Sequence, residues 1–182
     1  MCYSAQIAAD YRKYVRAFGA DLSTQDFYDI FWRRVGDPRL KIPKATEAAF
    51  MDDPNADDGI KEAIAKFGAN EAMKLEQELF KQKKRLADAE RSLQTKTTKA
   101  ALEGQRIAGS KIEWALGKLA DLSRKDRTEA DSRMFPGWYA PVMVMENGKR
   151  VVKPMRYQCR PEGKPVFYEP NFPGPTTPDA TP

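Results

Sequence analysis

From about residue 60 to residue 124 the chain has no proline and is rich in Ala, Glu, Lys, Leu and Gln. Whatever else this sequence folds into, it has to accommodate a helix of that extent. Within the stretch, Ala72, Leu75, Leu79, Gln82, Leu86, Ala89 and Leu93 follow one another in steps that alternate 3 and 4. That spacing is a coiled-coil seam with one polar slot, at Gln82. A second stripe of the same period runs through Ala101, Gln105, Ala108, Ile112, Ala115, Leu119 and Leu122. The segment QTKTTK at 94–99 separates the two stripes. Its threonines lower helix propensity, and Thr97 or Thr98 is placed to cap a new helix. The spacing predicts an antiparallel helical hairpin over 60–125, closely packed through its alanines. The alternative is one continuous rod that self-associates through the same residues.

Shorter elements flank this block. Ile7, Tyr11, Tyr14, Val15 and Phe18 have helical spacing within 4–18, and Gly19 is a stop. STQD at 23–26 is a capping-box variant opening a helix with Phe27, Ile30, Phe31 and Trp32 on one face, which Asp37-Pro38 ends. A third helix is expected over 44–51, before a polar turn at 52–59. After residue 131 the pattern changes to strands over 140–145 and 150–157 around Asn147-Gly148, a strong two-residue hairpin signal. Residues 165–168, PVFY, read as a further short strand. Of the 13 prolines, 8 fall between 154 and 182, and the tail 171–182 is too polar to order itself. The fold class is therefore α+β: N-terminal helices, a long helical hairpin, then a β-hairpin and a disordered tail. A lone β-hairpin is marginal in water. Its apolar side must rest on the N-terminal helices, on a partner, or on strands outside this chain.

Composition narrows the chemistry. The chain has 182 residues and no histidine. Histidine-based zinc sites, Ser–His–Asp triads and Cys–His dyads are excluded within it. General acid or base work falls to carboxylates, Lys, Tyr, Cys or the terminal amine. Two cysteines, Cys2 and Cys159, do not make a disulfide framework, and no window is apolar enough to span a bilayer. A cytoplasmic location is expected. The net charge of +5 mildly favours an anionic partner.

Cys2 directly follows the initiator methionine. Removal of Met1 leaves an α-amine and a thiol on adjacent carbons, with ordinary pKa values of about 8 and about 8.5. An aldehyde meeting that pair forms an imine with the amine, and the thiol closes a thiazolidine ring. No metal or cofactor is needed. The activation resembles that of a terminal threonine by its own amine. The ring-opened sugar of an abasic site in DNA is a natural aldehyde of this kind.

MCYSAQ at the start, together with FPGWYAPVMVMENGKRVVKPMRYQCRP at 135–161, resembles the SOS response-associated peptidase (SRAP) family. Tyr139-Ala140-Pro141-Val142 corresponds to the family's entry into a strand. Met155-Arg156-Tyr157-Gln158-Cys159-Arg160-Pro161 corresponds to the end of the next strand, without the family's Trp-Gly. The resemblance covers about 1–36 and 132–170, with 60–125 as an insertion. It implies a mostly β fold, most of whose strands would lie beyond residue 182. It further implies a cysteine-dependent autopeptidase that exposes Cys2 and crosslinks abasic sites in single-stranded DNA, a nucleoid-associated role in the DNA-damage response. The family's Asn-Ala-Arg, Glu and His have no counterparts here, so the chain reads as the front half of such a protein.

Within 132–170, Arg150, Lys153, Arg156, Arg160 and Lys164 fall within 15 residues, with Trp138, Tyr139, Tyr157, Phe167 and Tyr168 nearby. Cations neutralise phosphates and aromatic faces stack unpaired bases. The expected site is Cys2 as nucleophile, with Trp138, Tyr139, Arg150, Lys153, Arg156, Tyr157 and Arg160 binding single-stranded DNA and no metal. Two other readings remain: an inactive fragment, or a helical-hairpin interaction module that binds DNA weakly.

Overall fold

The computed structural model describes residues 5–6, 11–158 and 177–179. In chain order these form β1 (Ala5–Gln6), α1 (Tyr11–Phe18), β2 (Asp21–Leu22), α2 (Thr24–Gly36), α3 (Lys44–Met51), α4 (Asp58–Thr95), α5 (Lys99–Ser123), β3 (Arg133–Met134), β4 (Tyr139–Glu146), β5 (Lys149–Gln158) and β6 (Thr177–Asp179). The class is α+β, as the patterning predicts. Cys2, Cys159, Arg160, Lys164 and the strand expected at 165–168 lie outside the described residues. The chain divides into two compact units. One gathers the described residues of Met1–Ala65 and Arg127–Pro182, and the other is Lys66–Asp126.

In the first unit, aromatic burial organises the core. Phe50 of α3 is fully buried, with ring centroids at 4.5 Å from Tyr11, 4.9 Å from Phe27 and 5.5 Å from Phe31. The expected aromatic face of α2 thus points inward. Ile60, Ala63 and Ile64 on the first turns of α4 join the same cluster. That is why the second unit begins at Lys66 rather than at 60: the start of the long helix is core of the first unit. Arg34 of α2 is buried against Glu47 of α3, and desolvation raises the Glu47 pKa in spite of the guanidinium.

The β-hairpin forms where Asn147-Gly148 predicts it. Asn147 has φ 50° and Gly148 φ 78°, the two positive values that a twisted two-residue turn requires. β4 pairs antiparallel with β5 from Tyr139↔Arg156 to Glu146↔Lys149. Tyr139 and Val152 enter the core cluster, with Met143 packed against it. The hairpin therefore rests on the N-terminal helices, which resolves the question its marginal size raises. β5 also pairs parallel with β2 at Asp21↔Val151 and Leu22↔Val152, and antiparallel with β6 through Arg156↔Asp179. Pro154 lies between these two flanking pairings, so its missing N–H interrupts neither ladder.

Four local expectations are corrected. Ala5–Gln6 is strand, paired with Arg133–Met134, rather than the start of the helix expected over 4–18. In α1, Tyr11 is buried, but Val15 and Phe18 are exposed. Ser23 stands at the N-cap of α2, yet its hydroxyl donates to Asp26 Oδ2 at 2.6 Å and accepts nothing from the helix. In the tail, Thr177–Asp179 forms β6, whose backbone pairs with that of β5.

In the second unit, α4 and α5 pack as the hairpin expected, not as one rod. Thr98 caps α5, its Oγ1 accepting from the Ala101 N–H at 3.2 Å. Gln82, Ala89, Ala101, Ala108 and Ala115 are buried. Lys111 lies 3.6 Å from Glu78, and a Cβ on Gly104 would sit 3.6 Å from that of Ala89. As the α5 number falls the α4 number rises, which is antiparallel pairing. The alanines permit the close approach. Gln82 Nε2 donates to Glu78 Oε1 at 2.8 Å, and this bond holds the Glu78 pKa below its usual value.

Candidate nucleic-acid interface

The residues expected to bind DNA are carried by β4, β5 and the turn that leads into them. Phe135-Pro136-Gly137-Trp138 is a tight turn: the Trp138 N–H donates to the Phe135 carbonyl at 3.0 Å, and Gly137 has φ 89°. Proline at the second position and a positive-φ glycine at the third are what a type II turn needs. The turn docks on β5, with the Gly137 N–H donating to the Tyr157 carbonyl at 2.6 Å and the Tyr157 N–H to the Trp138 carbonyl at 2.7 Å. The Tyr139 N–H then donates to the Lys41 carbonyl at 2.8 Å. Phe135 and Trp138 stack edge to face at 5.2 Å, each half-buried. The Arg156 side chain passes 3.7 Å from where a Gly137 Cβ would be.

These bonds gather Trp138, Arg156 and Tyr157 at one end of the hairpin. Beside them runs the pairing of β1 with β3, Ala5 opposite Met134 and Gln6 opposite Arg133. Met134 immediately precedes the turn, so the chain three residues after Cys2 lies next to it in register.

The other expected residues fall elsewhere. Arg150 is six positions from Arg156 along β5, about 20 Å at the rise of a strand. It is exposed, and its Nη1 donates to the Phe18 carbonyl at 2.8 Å. Lys153 is held by Glu146 at 2.6 Å and Asp26 at 3.5 Å. Its hydrogen bond to Glu146, aided by Asp26, raises its pKa and keeps it charged. Two carboxylates already neutralise that charge, so Lys153 is not a cation offered to phosphate. It lines a shallow hollow with Asp26, Asp29, Arg33 and Tyr139, where acidic and basic groups balance. Tyr139 is buried among core residues, so its ring does not stand on the surface. Asp131 accepts from the Thr128 N–H at 2.7 Å.

Two residues outside the expected set also belong to this end. Phe135 supplies the second ring, and the Pro-Gly after it was the available signal. Arg133, exposed on β3, adds a cation beside Gln6. The arrangement offers an aromatic edge, flanking guanidinium groups and a neighbouring N-terminal strand. Among the described residues no His, Cys, Asp and Glu groups gather as metal ligands, and no helix is long and apolar enough to cross a membrane. No family model, curated protein or solved structure matches the chain.

Proposed function

We propose that this chain is an SRAP-like DNA-damage protein whose Cys2, once Met1 is removed, captures abasic sites in single-stranded DNA. Hydrolysis of the Met1–Cys2 peptide bond frees the amine. The amine adds to the C1 aldehyde of the ring-opened sugar, and loss of one water gives the imine. The Cys2 thiolate then adds to the imine carbon, the nitrogen takes the proton, and a thiazolidine joins protein to DNA. The α-amine and thiol bring both nucleophiles, so this step needs no histidine. Met1 removal has no base assigned among the described residues and is either intrinsic or performed by an aminopeptidase.

The observation that carries the proposal is the register of Ala5–Gln6 against Arg133–Met134, which brings the N-terminal strand to the residue that immediately precedes the Phe135–Trp138 turn. Exposed ring surface there stacks an unpaired base, and the guanidinium groups neutralise its phosphates. The resemblance at MCYSAQ and at 135–161 supplies the chemistry.

The test is intact mass of the purified chain, alone and with an abasic single-stranded oligonucleotide, under reducing conditions. The expected protein mass lacks Met1, and the expected adduct equals protein plus oligonucleotide minus one water. Cys2→Ala abolishes it. Retention of Met1, or absence of an adduct from the unmutated chain, overturns the proposal and leaves the inactive reading.

A further inference from the structure

The seam between α4 and α5 leaves the opposite side of α4 uncovered, and apolar side chains stand exposed there among polar ones. Phe80 is 75 % exposed, the most exposed large apolar side chain among the described residues, and Met73 is 53 % exposed. Phe80 stands two positions from buried Gln82, about 200° around the helix, so it points away from α5. Met73, Gln77, Phe80, Lys84 and Ala87 recur in steps of 4, 3, 4 and 3, a second heptad stripe along the outer face. A helix with seams on two sides is built to be covered twice.

Charge along α4 decides what covers it. Glu71, Lys74, Glu76 and Glu78 give 71–79 a net −2, and Lys81, Lys83, Lys84, Arg85 and Asp88 give 81–89 a net +3. A second copy laid antiparallel across Phe80 sets each acidic stretch against a basic one. A parallel copy would set basic on basic. In the antiparallel register centred on Phe80, Phe80 meets Phe80 of the second copy, Met73 meets Ala87, and Glu76 meets Lys84 twice by symmetry. We infer that the outer face of α4 is a self-association surface on which two copies pair antiparallel about Phe80. The contact spans about four helical turns, the small end of specific interfaces, so the dimer forms reversibly.

Sedimentation of the full chain across about 1 to 200 μM reads this directly. The expected result is a monomer–dimer equilibrium that Phe80→Glu abolishes with helicity unchanged by circular dichroism. Glu76→Lys alone and Lys84→Glu alone each weaken association by about tenfold, because each creates two like-charge pairs. The double variant carrying both regains the wild-type affinity to within about threefold. A wild-type chain that stays monomeric throughout overturns the inference, as does a dimer indifferent to Phe80→Glu. A double variant as weak as the single ones rejects the antiparallel register. A dimer that disappears on nuclease treatment shows that the basic stretch was held by nucleic acid instead, and likewise overturns it.

Discussion

Phe50 is the residue on which the first unit turns, and Phe50→Ala measures that. The side chain is fully buried and touches three rings, at 4.5, 4.9 and 5.5 Å. Truncating a buried phenylalanine costs about 3–5 kcal/mol in lost transfer energy and residual cavity. Each ring pair adds about 0.5–1.5 kcal/mol beyond area, though contacts that share one residue do not sum. The upper end, about 5 kcal/mol, is therefore expected, close to the whole stability of an ordinary small domain. Phe50→Leu keeps most of the volume and should cost about 1–2 kcal/mol. Urea melts followed by near-ultraviolet dichroism read the loss as a shift in midpoint at constant slope. A Phe50→Ala loss of less than about 2 kcal/mol would refute the claim that these four rings form one packed unit.

Thr98→Ala should lower the stability of the helical hairpin by about 1 kcal/mol, and Thr97→Ala by little, since only Thr98 Oγ1 caps α5. Thermal melts of the two variants distinguish them. Asp53 accepts from the Tyr11 hydroxyl at 2.7 Å, and this bond, aided by the Asn55 N–H, lowers its pKa below 3.8. A lowered carboxylate contributes stability above its unfolded pKa and loses it as pH falls through the folded value. Tyr11→Phe should thus flatten the acid limb below pH 3.8 in stability against pH, and an unchanged limb would count against the bond. For DNA, Trp138→Ala should weaken single-strand affinity by the worth of one stacked base, about 1–3 kcal/mol, in fluorescence anisotropy. Lys153→Met should leave that affinity nearly unchanged, because Glu146 and Asp26 already hold the ammonium.

Sequence periodicity reveals the helical unit almost completely. Apart from Leu122, which is exposed, the residues of the two 3–4 stripes are the buried or half-buried ones, Gln82 included, because a long helix repeats one local rule many times. α3 and the Asn147-Gly148 hairpin are legible for the same reason, each specified by residues close in sequence. What is not legible is set by distant partners. Two-residue strands such as Ala5–Gln6 and Asp21–Leu22 have no period to detect and exist only because β3 and β5 pair with them. Lys153 reads as a free cation until Asp26, on a helix far earlier in the chain, folds beside it. Tyr139 reads as a surface ring because aromatic residues near basic ones look alike whether they face solvent or core. The candidate site shrinks accordingly to the end of the hairpin near Trp138 and Arg156.

β5 has one more effect, on the order in which the protein assembles during synthesis. Its Arg150 reaches back across 132 positions to Phe18, and its backbone closes the sheet on β2. At ordinary translation rates that separation leaves the first helices waiting on the order of ten seconds for their sheet. The α4–α5 hairpin emerges complete within that interval, and helical hairpins form far faster than that. The nascent chain then carries a finished helical pair while Tyr139 and Val152, the last members of the first unit's core, are still to be made.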